Sequence, residues 1–527
     1  MPTTMVLDQG CSLKKAPSLP ERDPHTRSIT RVAIPNIMNT YQPFTHANCP
    51  ENQLKSLVSR VAGIVPHPTT QAIKQLRLQA KLLALRIPTT VQADLYDMPK
   101  LYTGAKRKRY MEAVENYLNF NITKRDATVK FFVKADKLNP VDKVNPDPRA
   151  IQFRDPKYCV VLGSYLKPIE HYIYLTKFGC KGVPPSRSIA KGLNALERGQ
   201  LFMNKVANFV DPVFVSLDAS RFDKHVSYEL LQVEHYFYTL CNPDPIFSKL
   251  LSWQLINKGY SDLGMVYRIR GRRMSGDMNT AAGNCLLMLL MVTTYFRMIS
   301  VNKYDVLDDG DDIVVIIERS SLNTVETTVK NIFLSFGMSM KVEGIVDDPF
   351  KVVFCKSNII EYQLNKYKFV RSPTDVMSKS LCGTKHWSNL IYRRRVIASI
   401  ATCELFLNLG TPVLQAYAVA LRRNIGGNFD PQYLPDGLLC RLRREERSHG
   451  KISETIEPIP ITPVARASFY RAFSIDVSEQ IRLEHALENW TFDILSTTHI
   501  GIEYDPRWEK FNLTNNEVYR LKDINNG

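Results

Sequence analysis

The chain has 527 residues, 44% hydrophobic and 23% charged, the balance of a folded globular protein too long for one simple core. A surplus of 69 Lys and Arg over 52 Asp and Glu gives a net charge of +17, which points to a polyanionic partner, nucleic acid or an anionic membrane surface. Ten cysteines with no CxxC pair argue against a structural zinc site or a disulfide scaffold, Met1-Pro-Thr-Thr-Met lacks the pattern of a secretory signal, and the longest apolar run, Cys285 to Val292, is far short of a membrane span.

Residues 1–50 carry Pro17, Pro20, Pro24, Pro35, Pro43 and Pro50 without sustained periodicity, and read as an extended arm draped over the body. Leu54, Leu57, Val58, Val61, Ala62 and Val65 fall at helical spacing and stop at Pro66. A second helix, about 71–86, sets Ile73, Leu76, Ala80 and Leu83 against a solvated face of Lys74, Arg77 and Lys81. Lys106 to Arg109 opens another helix through Leu118. Val129 to Val133 has the composition of a strand, and Lys134, Lys137, Lys143, Arg149, Arg154 and Lys157 follow it in a proline-rich stretch. Stiffened basic loops of this kind can track a phosphate chain without a sequence code. A plain solubilising loop is the other reading. Cys159 to Leu162 looks like a further strand leading into an apolar helix near 169–175.

Val213 to Leu217 is an apolar strand ending at Asp218, with Asp223 five residues on. Residues 224–258 are helical and aromatic, and Tyr228, Tyr236, Phe237, Tyr238 and Trp253 are assigned to the core. Arg268 to Arg273 reads as a basic turn or hairpin, followed by the loop Met274 to Thr280 and an apolar helix over about 281–298. Val306 to Ile317 combines a tight turn at 309–312 with a β-branched run at 313–317. That predicts a β-hairpin with adjacent carboxylates at its tip. A helix over 324–336, a strand over 338–342 and a hairpin over 351–369 come next. From His386 onward the pattern is mostly helical, with basic clusters at 393–395, 422–423 and 441–447.

Two carboxylates about 4 Å apart repel by roughly 4 kcal/mol at an effective dielectric of 20. A fold keeps such a pair when it is solvated, protonated or holding a cation, and hard oxygen ligands suit Mg²⁺ or Mn²⁺. Alone, the hairpin tip also reads as a solvated acidic turn; the upstream elements decide. A strand ending in Asp218 beside a hairpin carrying Asp311 and Asp312 supplies the carboxylates of a two-metal site, in which cations roughly 3.5–4 Å apart serve an in-line displacement. Between the two acidic elements, the Ser275-Gly276 loop opens a helix whose free N–H groups and small side chains suit a sugar or phosphate.

The ordered set Asp218-Ala-Ser-Arg-Phe-Asp223, Ser275-Gly-Asp-Met-Asn-Thr280-Ala-Ala-Gly-Asn284 and Gly310-Asp311-Asp312 resembles motifs A, B and C of viral RNA-dependent RNA polymerases. The likeness is to the replicases of plus-strand plant RNA viruses of the tombusvirus and carmovirus kind. Tyr102 to Arg109, Phe132 to Lys137, Pro148 to Arg154 and Leu162 to Leu166 look like the fingers and motif F of that family. Lys191-Gly192-Leu-Asn194 also matches, and Phe354-Cys355-Lys356-Ser357 sits where motif E falls. The resemblance covers roughly 50–400. Two departures stand out: Asp308 and Asp309 precede the glycine where the family usually has a neutral residue, and Phe153 replaces a usual proline.

The resemblance implies an α+β right-hand polymerase with fingers, palm and thumb, and an antiparallel palm sheet flanked by helices. The arm would span 1–50, the fingers 51–210, the palm 211–225 and 275–355, a fingers insertion 226–274, and a mostly helical thumb and C-terminal region 356–527. Asp218 and Asp311 would be the principal metal ligands, with Asp312 assisting and the Ala219 carbonyl a further ligand, for two ions of Mg²⁺ or Mn²⁺. Asp223, Ser275, Thr280 and Asn284 would recognise the ribose 2′-hydroxyl. Arg149 and Arg154, with Lys134 and Lys137, would hold the incoming triphosphate, and Lys341 would be the general acid for pyrophosphate. Basic loops at Lys106 and Arg268 would line template and NTP channels. The implied partners are template and nascent RNA, NTPs and a membrane-anchoring accessory replication protein, since the chain shows no membrane span of its own. The implied place is the host cytoplasm, at membrane-associated replication complexes. A reverse transcriptase would carry an aromatic residue in place of Gly310 and lack the Ser275 and Asn284 set. A catalytically silent RNA-binding replication protein would share the charge and fold without needing every carboxylate.

Overall fold

The computed structural model describes residues 4–5, 7–15, 28–142, 146–453, 455–501 and 519–520; Lys143 and the arm prolines Pro17, Pro20 and Pro24 lie outside the described residues. Where it is described, the arm is stitched to the body. Its strand β1 (Ser12–Lys15) adds to the edge of a five-stranded sheet. Helix α1 (Pro50–Leu57) runs on into a turn of π-helix at Val58–Ala62. Helix α2 (Thr70–Ala84) starts where the Thr69 side chain accepts from the Ala72 N–H. Helix α3 (Gly104–Phe120) and strands β2 (Val129–Val133) and β3 (Ala150–Phe153) follow.

Cys159 to Leu162 is not a strand. It lies inside helix α4 (Pro156–Leu175), which begins on an Asp155 cap with Pro156 in its first turn. Val160, Val161 and Leu162 are wholly buried, and a continuous apolar run of this kind fits a buried helix as well as a buried strand. The cap and the proline were the discriminating signals.

Helix α5 (Ala195–Val206) precedes strand β4 (Pro212–Ala219). The helical stretch expected over 224–258 ends earlier, in α6 (Tyr228–Cys241) and α7 (Pro245–Ser252), and gives way to the hairpin β5 (Ile256–Ser261) and β6 (Met265–Arg270). Helix α8 (Thr280–Met298), strands β7 (Tyr304–Asp308) and β8 (Asp312–Glu318), helix α9 (Leu322–Ser335) and strand β9 (Met340–Val346) come next. A second hairpin, β10 (Ser357–Gln363) and β11 (Lys366–Arg371), leads into helices α10 (Leu390–Leu407), α11 (Leu414–Ile425), α12 (Asp436–His449), α13 (Pro463–Phe473) and α14 (Val477–Asn489).

The protein is therefore mixed α+β, with helices around antiparallel sheets. Four strands form the central sheet in the order β7-β8-β4-β9, each neighbour antiparallel. Period-two alternation splits its side chains. Val213, Val215, Leu217, Ile313, Val315 and Ile317 enter the largest core with helices α2, α4, α6, α8 and α9. Phe214, Leu307, Val314 and Ile316 enter a second core with Phe202, Phe354 and Phe369. Both faces are covered, which is why these strands read as unbroken apolar runs. A second sheet, in the order β1-β6-β5-β2-β3, packs over Leu54, Leu57 and Val58. The C-terminal helices gather round their own core of Ile397, Ala401, Leu414, Tyr417 and Phe469.

Helix α8 contains the apolar run seen in the sequence. It is 19 residues long and, by length and composition, apolar enough to cross a membrane; here 83% of that stretch is buried inside the protein.

Candidate active site

The ladder of the central sheet fixes the first group. Asp218, at the end of β4, has Asp312 as its partner on β8 and Lys341 as its partner on β9. Directly opposed residues share a face with their Cβ atoms about 4.5–5.5 Å apart. Lys341 is thus brought beside Asp218 by register, although 123 residues separate them, and it is exposed. The Ala219 N–H donates to the Asp311 carbonyl at 3.4 Å, closing the turn against β4.

The turn itself is held from below. Gly310 has φ +99, a conformation that disfavours side chains, and its N–H donates to Asp308 Oδ1 at 2.7 Å. Asp308 is wholly buried, and burial pushes its carboxyl well above the usual range. Asp309 receives Lys191 Nζ at 2.7 Å, Arg198 Nη1 at 3.2 Å and the Cys355 thiol at 2.9 Å. Burial alone would raise its carboxyl; the two cations outweigh that and hold it below the ordinary value. The charges of the two extra aspartates are therefore suppressed or compensated within the turn. Asp312 is half-buried, and its Oδ2 accepts from the Cys355 N–H at 2.7 Å. Burial, reinforced by Asp311 and Asp309 and opposed by the Cys355 bond, pushes it up to about 7. Asp311, by contrast, is exposed.

Asp311 lines a cavity of about 560 Å³ together with Lys134, Arg149, Asp223, Ser275, Thr280 and Asn284. Its walls also carry Arg60, Lys167, Lys191, Arg221, Lys224 and Arg273, so cations dominate. Burial, aided by repulsion from Arg221 and Arg272, brings Lys224 down to about 8. Asp218, Ala219, Asp312 and Lys341 are not among the lining residues. Asp218 and Asp312 share the sheet face of Phe214 and Val314, turned toward the Cys355 loop.

On the cavity wall, Asn284 Nδ2 donates to Asp223 Oδ1 at 2.8 Å. Burial raises the Asp223 carboxyl, while the Asn284 bond and the Arg273 charge oppose that shift. The other two residues expected at the sugar are differently occupied. Ser275 Oγ accepts from the Gln152 N–H at 3.0 Å and donates to the Ala150 carbonyl at 3.1 Å, pinning the loop to β3. Thr280 Oγ1 donates to the Met274 carbonyl at 2.9 Å. Both hydroxyl protons are spent on backbone.

Two basic residues are displaced from their expected role. Arg154 is a correction: its side chain is 1% exposed and lies outside the cavity. It pairs with Asp277 at 2.5 Å and donates to the Ala127 carbonyl and Asn257 Oδ1, both at 2.6 Å. No fork remains for a triphosphate. Lys137 is likewise outside the cavity, donating to the Lys379 carbonyl at 2.8 Å with its ammonium 5.8 Å from the centre of the Trp387 ring. Lys134 and Arg149 stay at the cavity, tied to Asp136 at 2.9 and 3.4 Å. The basic cluster at 268–273 is also partly internal, since Arg272 pairs with Asp8 of the arm and Arg273 with Glu234.

Sequence reasoning missed Glu234, Arg273, Lys191 in its pairing role, and Arg198. One signal was available: Glu234 interrupts the buried apolar face of α6 between Val233 and Phe237. Buried carboxylates on such a face need a cation.

Carboxylates at a sheet end beside a cation-lined cavity form a site suited to a phosphorylated ligand. The match to known proteins is specific. The family profile described as viral RNA dependent RNA polymerase covers residues 18–494, and the chain belongs to that family. Among curated relatives, the RNA-directed RNA polymerase of Cucumber necrosis virus is 34% identical over 465 residues, 86% of this chain and 55% of that protein. That of Tomato bushy stunt virus (strain Cherry) is 34% identical over 463 residues, with the same coverage. That of Melon necrotic spot virus is 32% identical over 471 residues, 85% of this chain and 58% of that protein. The chain spans about half the length of the curated relatives it matches.

Proposed function

We propose that this chain carries out template-directed RNA synthesis, joining NTPs to a growing 3′-end and releasing pyrophosphate, in the replication of a plus-strand RNA virus. The observation that carries the reading is the ladder register that sets Asp218 against Asp312 and next to the Asp311 turn, beside a cavity walled by cations. In this reading the central sheet is a palm, the second sheet, β1-β6-β5-β2-β3, with its basic loops is part of the fingers, and the C-terminal helices are a thumb. The segment boundaries follow the sequence reading, except that α6 and α7 share the palm core while β5 and β6 join the fingers sheet.

The donor set fits a hard divalent cation. Among the described residues no three His, Cys, Asp or Glu side chains converge as a self-sufficient metal site. Carboxylate oxygens are the ligands Mg²⁺ takes, one or two at a time, with water and substrate phosphates completing its shell. Asp218 and Asp311 would hold two such ions, with Asp312 fixed behind them by the Cys355 N–H. The ions would activate the attacking hydroxyl and neutralise charge on the leaving oxygens. Arg149 and Lys134 hold and orient the triphosphate. Lys341, across the ladder from Asp218, donates a proton to the departing pyrophosphate. Asp223 and Asn284 receive the ribose 2′-hydroxyl. Template and nascent RNA occupy the basic surfaces, and a membrane-anchored accessory protein places the chain at replication complexes in the host cytoplasm.

The test is incorporation of labelled NTP on an RNA template. Asp218→Ala and Asp311→Ala should each abolish it while leaving RNA binding nearly intact, because binding charge lies on Lys and Arg. Activity above a few per cent in both variants would overturn the assignment.

A further inference from the structure

Behind the Asp223–Asn284 pair lies an ion pair whose side chains are buried, with Arg273 reaching the cavity wall. Arg273 and Glu234 are both fully buried and pair through both guanidinium nitrogens. Glu234 Oε1 also accepts from Asn279 Nδ2 at 2.7 Å, so the carboxylate is satisfied on two sides. With its two terminal nitrogens committed to Glu234, Arg273 has Nε left over, and Nε donates to Asn284 Oδ1 at 3.0 Å.

That bond decides which way the amide faces. An Asn side chain offers one acceptor and one donor end. With Oδ1 taken by Arg273, Nδ2 must face Asp223, and it does, at 2.8 Å. Reversal would set Asn Nδ2 against the Arg273 N–H, donor against donor, and Asn Oδ1 against the Asp223 carboxylate. The backbone N–H of Arg273 further donates to the backbone carbonyl of Asp223 at 2.9 Å, so one residue grips both members of the pair.

Gly283 makes the arrangement possible. A Cβ at this position on α8 would stand 2.3 Å from Glu234 Oε1 and 2.5 Å from Arg273 Nη2. The ion pair passes under the helix where the side chain is missing.

We infer that Arg273, held by Glu234 beneath Gly283, is the positioning residue for sugar selection: it fixes the Asn284 amide so that Asp223 and Asn284 present one geometry to a ribose 2′-hydroxyl. The inference rests on the polymerase reading above and concerns substrate discrimination within it.

Two variants separate positioning from folding. Arg273→Lys keeps a cation for Glu234 but cannot serve the carboxylate and Asn284 with a planar fork. Gly283→Ala leaves every partner present, favours the helix, and pushes the ion pair away from its place. Single-nucleotide incorporation is measured as kcat/KM for GTP, 2′-deoxyGTP and 3′-deoxyGTP, with thermal melting of each protein. The GTP to 2′-deoxyGTP ratio should fall about tenfold, the worth of one hydrogen bond to a charged group, through weaker use of GTP. The GTP to 3′-deoxyGTP ratio should hold, since both sugars keep the 2′-hydroxyl. A merely structural role would depress all three substrates alike. An unchanged GTP to 2′-deoxyGTP ratio in whichever variant melts as the wild type does overturns the inference. So does an equal loss on all three substrates. If the wild-type chain incorporates none of them, it is the polymerase reading that has failed.

Discussion

Arg149 and Arg154 flank one four-residue strand, and only their charge is alike. Arg149 is 56% exposed, faces the cavity and meets Asp136 loosely at 3.4 Å. Arg154 is 1% exposed and fully engaged by Asp277, Ala127 and Asn257. The same split recurs among other basic residues: Lys134 and Lys167 face the cavity, whereas Arg272 and Lys205 hold buried carboxylates away from it. A net charge of +17 therefore overstates the cationic surface available to a polyanion, because part of it is spent inside.

The sharpest way to break this comparison is to remove the closed member. Arg154→Ala leaves Asp277 buried without its cation, a loss of about 3–5 kcal/mol in stability. Chemical denaturation of wild type and variant measures it. A loss below about 1 kcal/mol would mean that Asp277 finds a substitute and that Arg154 is not structurally committed.

Asp309 sits between the two extremes. It is 10% exposed, it touches the cavity, and it compensates both Lys191 and Arg198. An extra carboxylate beside the glycine could instead tune metal preference, and Asp309→Asn would then be tolerated. The ion pairs reverse that expectation. An amide would leave two cations facing each other under the turn, at a cost of about 2 kcal/mol. Incorporation should drop with the Mg²⁺ to Mn²⁺ activity ratio unchanged. A shift in that ratio at wild-type stability would make Asp309 a metal ligand.

For the open member the expectation is inverted. Arg149→Ala should change stability by no more than about 0.5 kcal/mol, while raising KM for NTP about tenfold through loss of a charged fork on the phosphates. Template affinity should hardly move. Loss of template affinity at constant KM would assign Arg149 to the RNA path.

These contrasts mark what was legible. The hairpin of β7 and β8, the strand ending in Asp218 and the helix after Thr280 were readable because alternation, turn residues and apolar runs are local signals. The approach of Asp223 to Asn284 came through resemblance, and the 2.8 Å bond is present. Burial of a charge is different: it depends on partners far away in the chain, 123 residues for Arg154 and Asp277, 118 for Lys191 and Asp309. No window on the sequence contains both members. The same reason hides the work of the Ser275 hydroxyl, since its two backbone partners, at Ala150 and Gln152, lie on another element.

The smallest effect tests a third kind of cation, buried with no direct carboxylate. Lys368 is 4% exposed, and its Nζ donates to the Leu409 carbonyl at 2.6 Å. Burial brings it down to about 7, against a weaker opposing pull from Glu445. An unfolded lysine keeps its proton until about 10.4. Between those values the unfolded chain binds more protons than the folded one, so this group makes stability rise with pH. Below 7 the folded lysine is charged in an apolar setting, and the protein bears that penalty in full. From pH 7 to pH 8 the folded form goes from about half to about one-tenth protonated, which contributes about 1 kcal/mol of added stability. Lys368→Met removes the titration, although it also leaves the Leu409 carbonyl without this donor. The quantity to measure is therefore the pH slope of the difference between wild type and variant, not the difference at one pH. Wild type should gain on the variant by about 1 kcal/mol over that unit. Parallel slopes would mean that Lys368 stays charged in the folded protein, with Glu445 acting as its counterion, and would move it into the class of Arg154.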